Sequence, residues 1–410
     1  MFNEVKGEGL AMLQSRIILK FAVCIFILLT ASPLCFAQAQ ILSIEEITQI
    51  DLGTEISCIA INEKLNRIYV GVDDTVVVID GATKQVMTTV KIDENPDLRE
   101  EVQWIVVDSL NNQIWVSVKY ENKIWVIDGE TYALRDTGLA EQLQDNFALD
   151  PLRKRVYTTE SALFKGDFDR INIYDSTDFT ELGHMNIPGS DTPIYVTSVI
   201  SILLDSELNH IYVDWLAKLF VFDCASETII SNPNGTEFLS IQDITQVYEN
   251  KIYTTGGIVD ANTLQYILYF NINEVRAFDP RNSIVYGLRS RPTDWNNYSD
   301  WSTGTKYSFQ AIDTLTNKTV ASSNKVFTYD ECGKSAKVNL QTGEIYLGGK
   351  SGLLYVLTMT SSPLLSPNEQ GTSPPIQKQP VGTYIIVAVA IITITAIVAL
   401  GFVLRRKSRL

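Results

Sequence analysis

Histidine is nearly absent from this chain: its 410 residues contain two, His184 and His210. They lack the spacing of a zinc or copper pair, so most transition-metal and catalytic-triad chemistry has no side chains to use. A C-x-x-C-H run is missing, which excludes covalently attached c-type haem. A G-x-S-x-G turn is missing as well. Gly348-Gly349-Lys350-Ser351 ends like a phosphate-binding loop, but it lacks the upstream glycine at the required spacing and sits in a hairpin pattern. Basic charge is also short, with 33 Lys and Arg against 48 Asp and Glu. Setting aside the three basic and two acidic residues of 1–39 and the four basic residues of 381–410 leaves 26 basic and 46 acidic residues, a balance of −20. Such a surface repels phosphate backbones, and nucleic acid is excluded as a partner.

What is present is globular. Hydrophobic residues make up 45% of the chain, which excludes disorder throughout. With 18 Tyr and 16 Phe against 23 Gly and 13 Pro, the balance points to a β-rich core.

The two ends carry apolar runs of different kinds. Arg16 and Lys20 precede an apolar stretch that closes on Ala37-Gln38-Ala39, the pattern of a secretory signal peptide over 1–39. Residues 381–404 contain no charge, and at ~1.5 Å per residue such a run spans a bilayer as a helix. Arg405, Arg406, Lys407 and Arg409 follow it, which places the tail 405–410 in the cytoplasm. The expectation is a single-pass type I protein of the cell membrane, integral through one C-terminal helix, with its folded part extracellular. Residues 360–380, with five prolines among Ser, Thr and Gln, read as a stalk.

Between the ends lies a repeat. Four segments share an apolar strand ending near Asp or Asn, a polar turn, an Ile-Tyr-Val-like strand, a second turn, and a strand closing on Asp. The closing residues Asp80, Asp128, Asp175 and Asp223 stand 48, 47 and 48 apart. Period-two alternation inside each segment predicts half-buried antiparallel strands. A unit of this length and content is a propeller blade. More degenerate units follow at Ile252-Tyr253, Phe278-Asp279-Pro280 and Val338-Asn339-Leu340. The expected fold class is all-β: a seven-bladed β-propeller over 44–359, six or eight blades being the alternatives. Its last unit is completed by an N-terminal strand from the segment 46–52.

The repeats resemble the YVTN-type β-propeller repeat of surface-layer-like and other secreted archaeal and bacterial proteins. Ile68-Tyr69-Val70 with Val78-Ile79-Asp80, Ile114-Trp115-Val116 with Val126-Ile127-Asp128, and Ile211-Tyr212-Val213 with Val221-Phe222-Asp223 carry the likeness. The Asn/Ser-rich hairpin of that family is replaced by varied loops, so the resemblance implies a fold and carries no binding site with it. WD40 and kelch signatures are absent.

Beyond residue 39 there are three cysteines, Cys58, Cys224 and Cys332. Only Cys58 and Cys332 fall in units that become neighbours when the ring closes, so Cys58–Cys332 is the candidate disulfide, with three buried free thiols as the other reading. Asn234, Asn297 and Asn317 begin N-x-S/T sequons and are candidate glycan acceptors. No cofactor is implied, apart from calcium as a candidate ion for channel carboxylates; no contiguous calcium loop is present.

Tight turns recur at 62–67, 110–113 and 151–155, whereas the long excursions 93–103, 160–170, 183–196 and 289–306 fall mostly on the other face. Segment 289–306 is the richest: Trp295, Tyr298 and Trp301 stand among Asp294, Asp300 and two asparagines, which suits sugar stacking or a protein hot spot. The function expected is a membrane-tethered extracellular binding, adhesion or surface-scaffold protein whose partner is a cell-surface protein or a glycan. The alternative is an extracellular propeller enzyme of lactonase or quinoprotein dehydrogenase type that uses channel carboxylates.

Overall fold

The computed structural model describes residues 42–361, apart from 93–100, 119–122, 141–142, 161–169, 188–198, 216–217, 232–235, 238–243, 271, 273, 291–305 and 334. After the entry strand β1 (Leu42–Asp51), strands β2 (Ile56–Asn62), β3 (Arg67–Val72), β4 (Thr75–Asp80) and β5 (Val86–Lys91) form an antiparallel sheet in chain order. The second sheet holds β6 (Val102–Asp108), β7 (Gln113–Val118), β8 (Lys123–Asp128) and β9 (Leu134–Ala140). The third holds β10 (Leu143–Asp150), β11 (Arg155–Glu160), β12 (Arg170–Asp175) and β13 (Glu181–Asn186). In the fourth, β14 (Val199–Asp205), β15 (His210–Trp215), β16 (Lys218–Asp223) and β17 (Thr228–Ile229) run in order, and β18 (Thr236–Glu237) also pairs with β16. The fifth holds β19 (Ile244–Tyr248), β20 (Lys251–Thr254), β21 (Gly257–Asp260) and β22 (Tyr266–Tyr269).

The remaining strands correct the expected count of seven blades. Five blades stand as sheets of their own. The strands β23 (Glu274–Asp279), β24 (Ile284–Ser290), β25 (Lys306–Asp313), β26 (Lys318–Thr328), β27 (Ser335–Val338), β28 (Ile345–Gly348) and β29 (Leu353–Ser361) join β1 in one eight-stranded sheet, ordered β23-β24-β25-β26-β1-β29-β28-β27. The physical reason is that β1 is used on both edges. It pairs antiparallel with β29 from Leu42↔Ser361 to Asp51↔Leu353, while Leu42, Ser43 and Ile44 also pair in parallel with Ala321, Ser322 and Ser323. A strand shared in this way fuses what would be two sheets and covers an edge of each.

Among the described residues no helix is long and apolar enough to cross a membrane, and the one α-helix has four residues, Tyr329–Cys332. On that finding the expected single-pass type I anchor is corrected and carried no further. The run 381–404 lies outside the described residues, as do the expected signal peptide, stalk and tail.

Each repeat closes on aspartate because that side chain builds the next turn. Asp80 Oδ1 accepts the backbone N–H groups of Ala82 and Thr83 at 2.9 and 2.7 Å, and Lys84 N–H returns to the Asp80 carbonyl at 2.8 Å. The same turn is built by Asp128, Asp175, Asp260 and Asp313, and Asn339 builds it with an amide oxygen. This is the short Asx turn, in which a compact acceptor replaces a backbone carbonyl. The apolar core is divided into packets between successive strand sets. The central aromatic of each Ile-Tyr-Val-like strand fills one: Tyr69 packs with Ile105 and Ile114, Trp115 with Phe147 and Val156, Tyr212 with Ile252 and Val259, and Tyr346 with Ile56 and Ile68. All four are fully buried. Burying one such side chain stabilises by roughly 1.5–3 kcal/mol, so these packets hold the strand sets together.

Candidate functional site

The first strand of each set lines a central channel. β2, β6, β10, β14, β19, β23 and β27 all contribute to the wall of a cavity of about 390 Å³. Most of that wall is apolar, including Trp104, Ile105, Phe147, Leu203 and Phe278. Gln246, Arg276, Lys337 and Glu63 are the polar exceptions.

A local irregularity recurs on these inner strands. The pairing to the second strand shifts between Ile56 and Cys58, Val102 and Trp104, Val199 and Ser201, Ile244 and Gln246, and Val275 and Ala277. Each shift leaves one residue unpaired, among them Ser57 and Arg276. A bulge of this kind bends the strand and re-aims a side chain. Ser57 uses it to reach the next inner strand, its hydroxyl donating to the Val102 carbonyl at 2.5 Å. Arg276 is placed on the channel wall, where one guanidinium nitrogen bonds Glu274 while its Nε is buried with no hydrogen-bond partner. Lys337 occupies the third position of β27, and burial holds its ammonium below the ordinary lysine range. Sequence reasoning named neither cation, because a bulge leaves no mark in a period-two pattern. A lysine between the buried Ala336 and Val338 was the available signal.

The second feature is the face of the short turns. Leu65, Leu110 and Leu152 sit in the first turns of three consecutive blades, exposed by 42, 58 and 69%. Leu315, 78% exposed, lies in the turn between β25 and β26. Backbone bonds stitch the turns to one another: Gly81 N–H donates to the Asn66 carbonyl, Gly129 to Asn112 and Ser176 to Lys154, at 2.8, 2.8 and 2.9 Å. Gly81 and Gly129 have no room for a side chain, since a Cβ would come within 2.7 and 2.6 Å of those carbonyl oxygens. Apolar side chains are thus displayed from a fixed backbone.

Cys58 and Cys332 are both buried free thiols, as is Cys224. Cys58 packs beneath Gly71, where an added Cβ would lie 2.7 Å from its sulfur, and the Cys332 thiol donates to the Thr328 carbonyl at 3.1 Å. Burial pushes Cys58 and Cys332 up to about 12 and Cys224 up to about 11. Asn317 takes the left-handed conformation in the β25–β26 turn, its Nδ2 donating to the Tyr269 carbonyl at 3.0 Å. Asp294, Trp295, Asn297, Tyr298, Asp300 and Trp301 lie outside the described residues, and so does Asn234. His184 and His210 stand on β13 and β15. Among the described residues no three His, Cys, Asp or Glu side chains converge on a metal position.

No family model matches the sequence, and no curated protein matches it either. The likeness to YVTN-type repeats is therefore not matched by a family, whereas the propeller-like arrangement is present. Solved structures do match, 1271 chains in all, so the fold is too widely shared to indicate a role. One of them, from the crystal structure of a mitotic checkpoint complex, is 11% identical at a TM-score of 0.54 over 76% of this chain and 91% of that one. At that identity the similarity is one of fold: this chain is an all-β, propeller-like protein.

Proposed function

We propose that this protein is a propeller scaffold that binds a protein partner on the face of its short turns. The observation that carries the reading is the row of exposed leucines, Leu65, Leu110 and Leu152, at equivalent turns of three consecutive blades. Scattered apolar residues on a surface need no explanation, but a row repeated by the architecture and held on a stitched backbone has the form of a docking strip. A matched solved chain comes from a multiprotein complex, which agrees with this use of the fold. The core of an interface is more apolar than its rim, so the strip supplies a core and the polar turn residues a rim.

The test compares proteins captured from the native source by the wild-type chain with those captured by the triple variant Leu65→Ser, Leu110→Ser, Leu152→Ser. The expected result is loss of a defined set of partners at an unchanged melting temperature. Identical capture profiles would overturn the proposal. The aromatic segment 289–306 is proposed as a second contact. Trp295→Ala and Trp301→Ala are expected to remove different partners from those lost by the leucine variant.

A further inference from the structure

Two half-buried cations, Arg276 and Lys337, stand on the wall of the central channel. Arg276 is the unpaired residue of the bulge in β23, with one guanidinium nitrogen on Glu274 and a buried Nε–H that meets no acceptor. Lys337 lies at the matching third position of β27, and β23 and β27 pack side by side. No described carboxylate forms an ion pair with Lys337, and burial holds its ammonium below the ordinary lysine range. The acid on this wall, Glu63, accepts the Leu340 N–H at 3.1 Å. A buried donor without an acceptor is costly and uncommon; the Arg276 Nε–H is one, and the half-buried Lys337 stands on the neighbouring strand of the same cavity wall.

We propose that the channel binds a small organic carboxylate, its anionic group held by Lys337 and Arg276 and its apolar body against Trp104, Phe147 and Phe278. Size and chemistry both support this. The cavity of about 390 Å³ is at the small end for ligand pockets, which suits one small molecule. A planar carboxylate matches the guanidinium edge and offers a second oxygen to an ammonium. The apolar side chains on the wall offer a hydrocarbon body a place to pack. The site is independent of the leucine strip, so either reading can fail alone.

Benzoate is the probe, titrated into the full chain by calorimetry beside benzamide, its uncharged counterpart, and inorganic phosphate. Saturable benzoate binding is expected, at least tenfold tighter than either comparison compound. Lys337→Met and Arg276→Met are each expected to weaken benzoate tenfold or more, and Lys337→Arg to retain most of the affinity. Because Lys337→Met removes a desolvated charge, its melting temperature is expected to hold or rise while binding is lost. Equal binding of benzamide would eliminate the anion site, phosphate binding as tightly as benzoate would eliminate the apolar subsite, and absence of saturable benzoate binding would overturn the proposal outright. If a methionine variant fails to fold, the comparison of benzoate with benzamide on the wild-type chain decides the question.

Discussion

Lys84 Nζ lies 2.6 Å from Glu344 Oε2, joining two residues 260 positions apart in the chain. Their side chains are only 13 and 17% exposed, and the Tyr346 hydroxyl bonds to both, at 3.2 Å from Lys84 and 3.0 Å from Glu344. The contact links the turn after β4 to the strand β28 and so ties the first blade to the eight-stranded sheet. Charged hydrogen bonds shielded from water are worth more than surface pairs. Lys84→Met is expected to cost about 2 kcal/mol in urea unfolding. A double-mutant cycle with Glu344→Gln should return most of that as coupling. A coupling below about 0.5 kcal/mol would make the pair incidental.

The repeated aspartates predict an acid response. Asp80, Asp128, Asp175, Asp223, Asp260 and Asp313 are all held below the usual carboxylate range, chiefly by backbone N–H groups of their own turns. A group whose folded pKa is depressed stabilises the fold above its unfolded pKa and loses that contribution as pH falls through the folded value. Stability is therefore expected to be level down to the ordinary carboxylate range, near 3.8, and to fall below it. Asp128→Asn, which keeps the acceptor and removes the charge, should make the acid limb of a melting-temperature profile shallower. An unchanged limb would rule these carboxyls out as its source.

Thiol chemistry should be silent in the folded protein. The thiolate is the reactive form, and Cys58, Cys224 and Cys332 are buried with raised pKa values. Peptide mapping after alkylation at pH 8 should find these three unmodified in the native state and fully modified in urea. Labelling of any of them before unfolding would contradict the packing around it.

Lys154 offers a stabilising change. It holds a left-handed backbone with φ 54°, at a turn position where Asn66, Asn112 and Asn209 serve in other blades. Asparagine tolerates that conformation better than lysine. Lys154→Asn is expected to add about 0.5–1 kcal/mol, read as a higher urea midpoint with an unchanged slope. A lower midpoint would mean that the lysine makes a compensating contact.

The closing aspartates, the Ile-Tyr-Val strands and the tight turns were legible in the sequence because each is local chemistry repeated at a fixed spacing. The all-β, propeller-like arrangement follows from them. The division into sheets was not legible, since it depends on β1 pairing over three residues with β26, a long-range contact without a sequence signal. Nor was the channel site: Arg276 reaches it through a bulge, and Lys337 is an isolated cation in a short strand. The sequence reading favoured the aromatic residues of 289–306 over both, because tryptophan among polar residues is conspicuous in a sequence and a missing hydrogen-bond acceptor is visible only in three dimensions.

The shared strand β1 also sets the order in which the molecule can be completed. Leu42 pairs with Ser361, so one of the first described segments waits for the last before either is satisfied. On a ribosome, the intervening blades can form while β1 has no partner until β26 emerges, and its full length is paired only after β29 has emerged. Bringing such distant segments together is entropically slow, and during that interval the unpaired edges of β1 are available to other chains. Aggregation during synthesis, with little aggregation once the ring has closed, is the kinetic signature that this topology imposes.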